Sequence, residues 1–289
     1  MKEDSYGQYG DSYKILVIVS HPDDEALWIG GLIYALSGFA RIELSVICLS
    51  GKDENSPRES EFMCAKKVAG YRGGVVLGGH LRAATVPLPR ISKTLEEGLS
   101  VLGMGMEDID LLLTHSPYGE EHMHPHHQQA FSEISDWASR HHVPFGYFTC
   151  LPIPIGSLQP MLKGMRRRQG FQIINFAKCR NDLADKISNF LTRKEKMWPK
   201  YYLQFLVDAT VKKAMLSCYQ SINLKKHEDG YAMFTSNCES IYLFDEKGLE
   251  PFNYVMSEMD VPGCKNIFSS LEQTWRMRGL VKRVLRWAM

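Results

Sequence analysis

The sequence predicts an α/β fold: a mostly parallel sheet flanked by helices, followed by a C-terminal α+β extension. Three observations lead there. Over the first 150 residues, short apolar runs of strand length alternate with segments of helical spacing. The connections between them are short, as in sheets built from strand–helix–strand crossovers. With 289 residues, 44% of them hydrophobic and 23% charged, the chain can bury the two-faced core that such a sheet requires.

The elements follow in order. KILVIVS (14–20) reads as a buried strand, and EALWIGGLIYALSG (25–38) has helical spacing with glycine at its end. RIELSVICLS (41–50) is the second strand. PRESEFMCAKKVAGY (57–71) opens with proline and acids, as helix starts do. GVVLGG (74–79), IDLLLTH (109–115) and PFGYFTC (144–150) complete the strands, with helices predicted near 92–103 and 125–140. The later half is less regular: INFAK (174–178) and SIYLF (240–244) read as strands, and 181–221 as mainly helical. No repeat or linker divides the chain, so one domain is expected over 1–289, a motif-bearing core (1–150) completed by 151–289.

Composition sets limits. The polar, acidic start does not read as a signal peptide, and no run is apolar enough to predict a transmembrane helix. Seven cysteines without a CxxC pair are expected as reduced, buried thiols of a cytoplasmic protein rather than a disulfide frame. Residues 1–150 carry 12 Lys and Arg against 20 Asp and Glu, a net of −8, and nine of the ten histidines. The remainder carries 22 against 13, a net of +9. No GxGxxG follows the first strand, which removes support for dinucleotide binding. The basic half lacks interleaved aromatics and any nucleic-acid module, so no nucleic-acid partner is expected.

In parallel sheets, ligands bind beyond the carboxyl ends of the strands. There the first strand delivers HPDDE, with His21, Asp23, Asp24 and Glu25, and the fourth delivers HSPYGEEHMHPHH. Three carboxylates at one turn repel one another unless a cation is present. His21 and Asp24, three apart around Pro22, can reach one point while Asp23 projects elsewhere; His124 and His127 flank a helix start at Pro125. Two imidazoles and one carboxylate with open positions describe a catalytic rather than a sealed metal site, suited to Zn²⁺, with Fe²⁺ or another divalent ion also tolerated. His115, His141 and His142 read more simply as structural or capping groups, and the GG pairs as turn or close-packing glycines.

HPDDE after the first strand, RESE at 58–61 and THSPYGEEHMHPHH at 114–127 together resemble the PIG-L/LmbE family of metal-dependent N-deacetylases, over about the first 150 residues. The resemblance implies a Rossmann-like sheet and a zinc ion held by His21, Asp24 and His127. It implies Asp23 as the general base, His124 beside the developing oxyanion, and substrate contacts from Arg58 and His122. KKAMLSCYQS (212–221) is similar to a later family segment and adds Tyr219 to the substrate contacts. The chain departs from the family at His126, where an aspartate is usual.

The expectation is thus a cytoplasmic zinc-dependent hydrolase that removes acetate from an N-acetylated amino sugar in a glycoconjugate, nucleotide-linked or lipid-linked form. The alternatives are an amidase for another acylated amine, such as an antibiotic or thiol conjugate, and a non-catalytic membrane-associated metal-binding protein. The sequence does not specify an oligomeric state. The tail WRMRGLVKRVLRWAM (275–289) is a basic amphipathic helix by pattern, fit to pack on its own core or to lie peripherally on the anionic inner face of a membrane.

Overall fold

A strand that is apolar toward both sides must be covered on both, and β1 (Tyr13–Val19) sets the architecture in this way. Its Ile15, Val17 and Val19 enter one hydrophobic core, and Leu16 and Ile18 enter another. The computed structural model describes residues 12–79, 86–117, 119–120, 124–149, 171–178, 201–222 and 238–258. Strands and helices alternate as predicted: α1 (Asp24–Ser37), β2 (Ile42–Cys48), α2 (Arg58–Ala69), β3 (Gly73–Val76), α3 (Ile91–Leu102), β4 (Leu111–Thr114), α4 (Pro125–His141) and β5 (Phe145–Thr149). After them come β6 (Phe171–Lys178), β7 (Tyr201–Val207), α5 (Ala209–Leu216), β8 (Cys238–Leu243) and α6 (Glu250–Glu258).

All eight strands form one sheet in the order β3-β2-β1-β4-β5-β8-β7-β6. The first five pair in parallel, and β8, β7 and β6 join by antiparallel pairs. The fold is therefore α/β, a Rossmann-like and mostly parallel sheet with an α+β extension. Residues of α1, α2, α5 and α6 fill the core on one face, those of α3 and α4 the other. Among the described residues no helix is long and apolar enough to cross a membrane.

The Gly30–Gly31 pair is a packing device. A Cβ on Gly31 would stand 2.5 Å from Val207 Cβ on β7, and one on Gly30 would stand 3.0 Å from Met215 Sδ on α5. The close approach lets Glu239 of β8 accept the Gly31 and Leu32 backbone N–H groups at 3.1 and 2.7 Å. Lys212 Nζ donates to the same carboxylate at 3.2 Å, so a buried ion pair ties α1, α5 and β8 together.

Two expectations are corrected. Residues 201–207, read as part of a mainly helical stretch, form β7. Its Leu203, Phe205 and Val207 alternate into the core, and β6 and β8 pair with both of its edges. A short aromatic and aliphatic run carries no period that separates strand from helix, so tertiary pairing decides. Cys64 of α2 and Cys218 beyond α5, expected as thiols, form a disulfide with Cα atoms 5.7 Å apart. Packing of α2 beside α5 brings together sulfurs 154 residues apart in sequence. Cys48 is the buried free thiol that was expected. His122 and the basic segment 275–289 lie outside the described residues.

Gly31→Ala should destabilise the protein in urea unfolding by about 1–3 kcal/mol. Alanine's helix-propensity advantage of roughly 1 kcal/mol is too small to offset a clash with a β-branched side chain that cannot swing away.

Candidate metal centre

Successive crossovers leave β1 lying between β2 and β4, the point at which strand order reverses and a crevice opens at the strands' carboxyl ends. His21 leaves β1 and His115 leaves β4 at this crevice, and the first turn of α4 brings His126 and His127, with His124 as its N-cap. The HPDDE turn is tight. Asp24 Oδ2 accepts the His21 backbone N–H at 2.8 Å, and Asp24 Oδ1 accepts Trp28 Nε1–H at 3.2 Å. Asp23 has φ 135°, a conformation that costs a non-glycine residue about 1–3 kcal/mol. Its surroundings hold it there. The Asp23 N–H donates to Glu25 Oε2 at 3.2 Å, and Arg58 Nη1 donates to Pro22 O at 2.9 Å and Asp23 Oδ2 at 3.3 Å.

Asp24 Oδ2 lies 3.2 Å from His21 Nδ1 and 3.3 Å from both His127 Nε2 and His115 Nε2. Ring nitrogens of His21, His124 and His127 also fall within 4.8 Å of one another, as do ligand atoms of Asp24, His115 and His127. Hydrogen bonding separates these candidates. His115 Nε2 accepts the Ser20 N–H at 3.0 Å, so its lone pair is used, and its Nδ1–H faces Glu120 Oε1 at 3.3 Å. His124 Nδ1 accepts the His126 N–H at 3.3 Å, which leaves the proton of the neutral ring on Nε2. His127 donates Nδ1–H to Glu120 Oε2, and its Nε2 is buried without a hydrogen-bond partner. At 3.3 Å that nitrogen feels the charge of Asp24 but is not aligned to donate to it. An orphaned ring nitrogen facing a carboxylate fits a metal ion. His127 is common to both groups, the one with His21 and His124 and the one with Asp24 and His115.

Burial opposes every charge here, so neighbours decide which charges survive. For Asp24, burial is outweighed by His127, His115 and His21, which hold its carboxyl well below the usual range. Against burial, His115 and His127 bring Glu120 down to about 2. Burial lowers His127 too, but Asp24 and Glu120 raise it to about 10. In the metal-free protein His127 is thus the cation, sandwiched between two carboxylates and stacked on His115 at 3.8 Å. Burial lowers His21, and burial together with repulsion from His127 and His21 lowers His124 to about 3. Burial and then Asp24 push Asp23 well above the usual carboxylate range, with Arg58 opposing.

The structure thus brings His21, Asp24, His124 and His127 together, with Asp23 and Arg58 paired at the rim. Tyr219 is placed elsewhere than a substrate contact would need: it is 1% exposed, and its hydroxyl donates to Glu25. Burial lifts Glu25 to about 7 even with that bond. Glu61 of RESE accepts both the backbone N–H (2.7 Å) and hydroxyl (2.6 Å) of Ser221, fixing the same segment. Glu120 was not expected in the site, nor were the partners that Glu25 and His126 take in it. No spacing rule marks them, since each is defined by a partner distant in sequence or by a loop conformation.

No family profile matches the chain, and no curated protein matches it. Among solved structures, a triple mutant of a deacetylase of the teicoplanin biosynthetic pathway is similar over 80% of this chain and 97% of its own, with TM-score 0.48 and 14% identity. N,N'-diacetylchitobiose deacetylase from Pyrococcus horikoshii is similar over 76% of this chain and 75% of its own, with TM-score 0.39 and 16% identity. The 4-carboxy-2-hydroxymuconate hydratase GalB from Pseudomonas putida covers 81% and 97%, with TM-score 0.36 and 16% identity. Likenesses this distant assign no chemistry, and the reading of the site rests on its own residues.

Because His127 of the metal-free protein titrates near 10, uptake of a divalent ion at pH 7.5 should release about one proton. Calorimetry in buffers of different ionisation enthalpy measures this. A raised folded-state pKa stabilises below the unfolded value of about 6.5, and that stability is lost as pH rises toward 10. The metal-free protein should accordingly melt at progressively lower temperature over this window. Tyr219→Phe should cost about 1–3 kcal/mol by leaving Glu25 Oε1 without its donor, measured by urea unfolding.

Proposed function

We propose that this chain is a metal-dependent N-deacetylase that hydrolyses the acetamide of an N-acetylated amino sugar, releasing acetate and the free amine. One observation carries the reading: His21 Nδ1 and His127 Nε2 lie 3.2 and 3.3 Å from Asp24 Oδ2, and a separate carboxyl, Asp23, follows His21 in the same turn with its pKa raised by burial. The HPDDE and HPHH motifs support the same conclusion through the family they resemble.

His21, Asp24 and His127 would hold the ion, with Zn²⁺ the best match to two imidazoles and a carboxylate and Fe²⁺ next. When bound, such an ion supplies Lewis acidity to a water molecule and to an amide carbonyl. The remaining steps belong to the protein. Asp23 takes a proton from the attacking water and returns it to the departing amine, so that one water is consumed for each acetate and amine formed. Arg58 holds the Asp23 carboxylate in place and limits how far its pKa climbs. His124, neutral with its proton on Nε2, donates a hydrogen bond where charge develops on the carbonyl oxygen, rather than a full proton.

The test is a set of N-acetylated amino sugars, free, nucleotide-linked and lipid-linked, assayed beside other acylated amines for release of free amine. Preference for the sugars supports the proposal, and preference for another amide moves it to the acylated-amine alternative. Asp23→Asn should lower kcat by about 10²–10⁴-fold while elemental analysis finds the metal retained. His127→Ala should lose the metal. Turnover indifferent to Asp23 would overturn the assignment of the base.

A further inference from the structure

His126 takes no part in the chemistry above, yet both of its ring nitrogens are engaged and the residue is 1% exposed. Its Nε2 lies 2.8 Å from Val86 O, and its Nδ1 lies 2.8 Å from His21 Nε2. A carbonyl oxygen only accepts, so the neutral ring faces Val86 with Nε2–H and presents a lone pair at Nδ1. His21 must meet that lone pair with its own Nε2–H. The consequence falls on the other side of the His21 ring, where Nδ1 is left bare, 3.2 Å from Asp24 Oδ2.

Val86 O is a fixed reference point for this chain of bonds. One stripe of α4 carries His126, Gln129 and Glu133, spaced as neighbours on a helix face, and clamps the backbone of 86–91. Gln129 accepts the Leu88 N–H at 2.9 Å and donates to Leu88 O at 3.1 Å, while Glu133 accepts the Ile91 N–H at 3.2 Å. Gln129 also donates to Glu133 at 2.8 Å, locking the stripe together. A ring that donates at one end and accepts at the other can span from this backbone to His21. An ionised aspartate, which only accepts, cannot donate to the Val86 carbonyl.

We propose that His126 is a positioning residue that selects the tautomer and ring orientation of His21, so that His21 Nδ1 is the nitrogen offered to a metal ion. This rests on the metal-site reading given under Proposed function. Partners that orient a ligating histidine typically change metal affinity by 10–100-fold when removed. Here the partner is a second imidazole whose own orientation is set by the 86–91 backbone.

The experiment compares His126→Asn, His126→Gln and His126→Ala in the full chain, with Zn²⁺ affinity measured by competition against a chromophoric chelator. Asparagine can place an acceptor near the position of Nδ1, and glutamine reaches that of Nε2 instead. The expected result is that Asn stays within about threefold of wild type, whereas Gln and Ala weaken binding by about 10–100-fold. Nitrogen-15 NMR of histidine-labelled, metal-free wild type needs no substitution and should find both His21 and His126 protonated at Nε2. His21 protonated at Nδ1, an Asn variant as weak as Ala, or three variants that all bind like wild type would each overturn the proposal. A wild-type chain that took up no zinc would defeat the metal reading itself, while the nitrogen-15 shifts would still decide the tautomer.

Discussion

A carboxylate taken out of water needs compensation, and Asp24 is the charge around which the crevice is organised. Its desolvation costs several kcal/mol, and no single neighbour offsets that. A backbone N–H, an indole N–H and His127, which carries the formal positive charge in the metal-free state, share the task. The second carboxylate, Glu120, lies on the far side of His127 and accepts its Nδ1–H, so that Nε2 is the nitrogen turned toward Asp24. Asp24 attracts positive charge, and Glu120 orients the ring that carries it. In the metal site proposed above, an ion would compete with a proton for Nε2 of His127.

The fold makes that competition possible by bringing together the ends of strands far apart in sequence. Adjacency of β1 and β4 places His21 and His115 side by side, and α4 then starts close enough for its first turn to close the cluster. Support comes from the opposite direction as well. Helix α1, which begins at Asp24, is drawn against β7 and α5 through Gly30 and Gly31 and fixed by Glu239. The Asp24 end of that helix is thereby set by contacts about two turns away from it.

Much of this was legible in the sequence because it depends on local pattern. The run from Ile15 to Val19 is apolar toward both faces, and the four crossovers that follow carry their own helix and turn signals. The HPDDE and HPHH motifs marked the crevice because clustered charge without a partner is improbable at a turn. The parts that could not be read are those created by pairing. The strand nature of 201–207 depends on two neighbouring edges, the Cys64–Cys218 bond on helix packing, and the burial of Tyr219 on a carboxylate 194 residues away. Glu120 was hidden differently: its position between two histidine rings follows from a left-handed turn at φ 58°, which nothing in its neighbours' identities required.

The antiparallel seam between β5 and β8 has a consequence for how the chain is made. Synthesis delivers all five parallel strands, with every histidine of the crevice, before Cys238–Leu243 leaves the ribosome. During that interval β5 presents an open row of backbone donors and acceptors, the kind of border along which nascent chains pair with one another. Closure of that border and arrival of the hydroxyl that steadies Glu25 both await the last third of the polypeptide. A chain stalled before that point would already possess its histidine cluster while remaining adhesive.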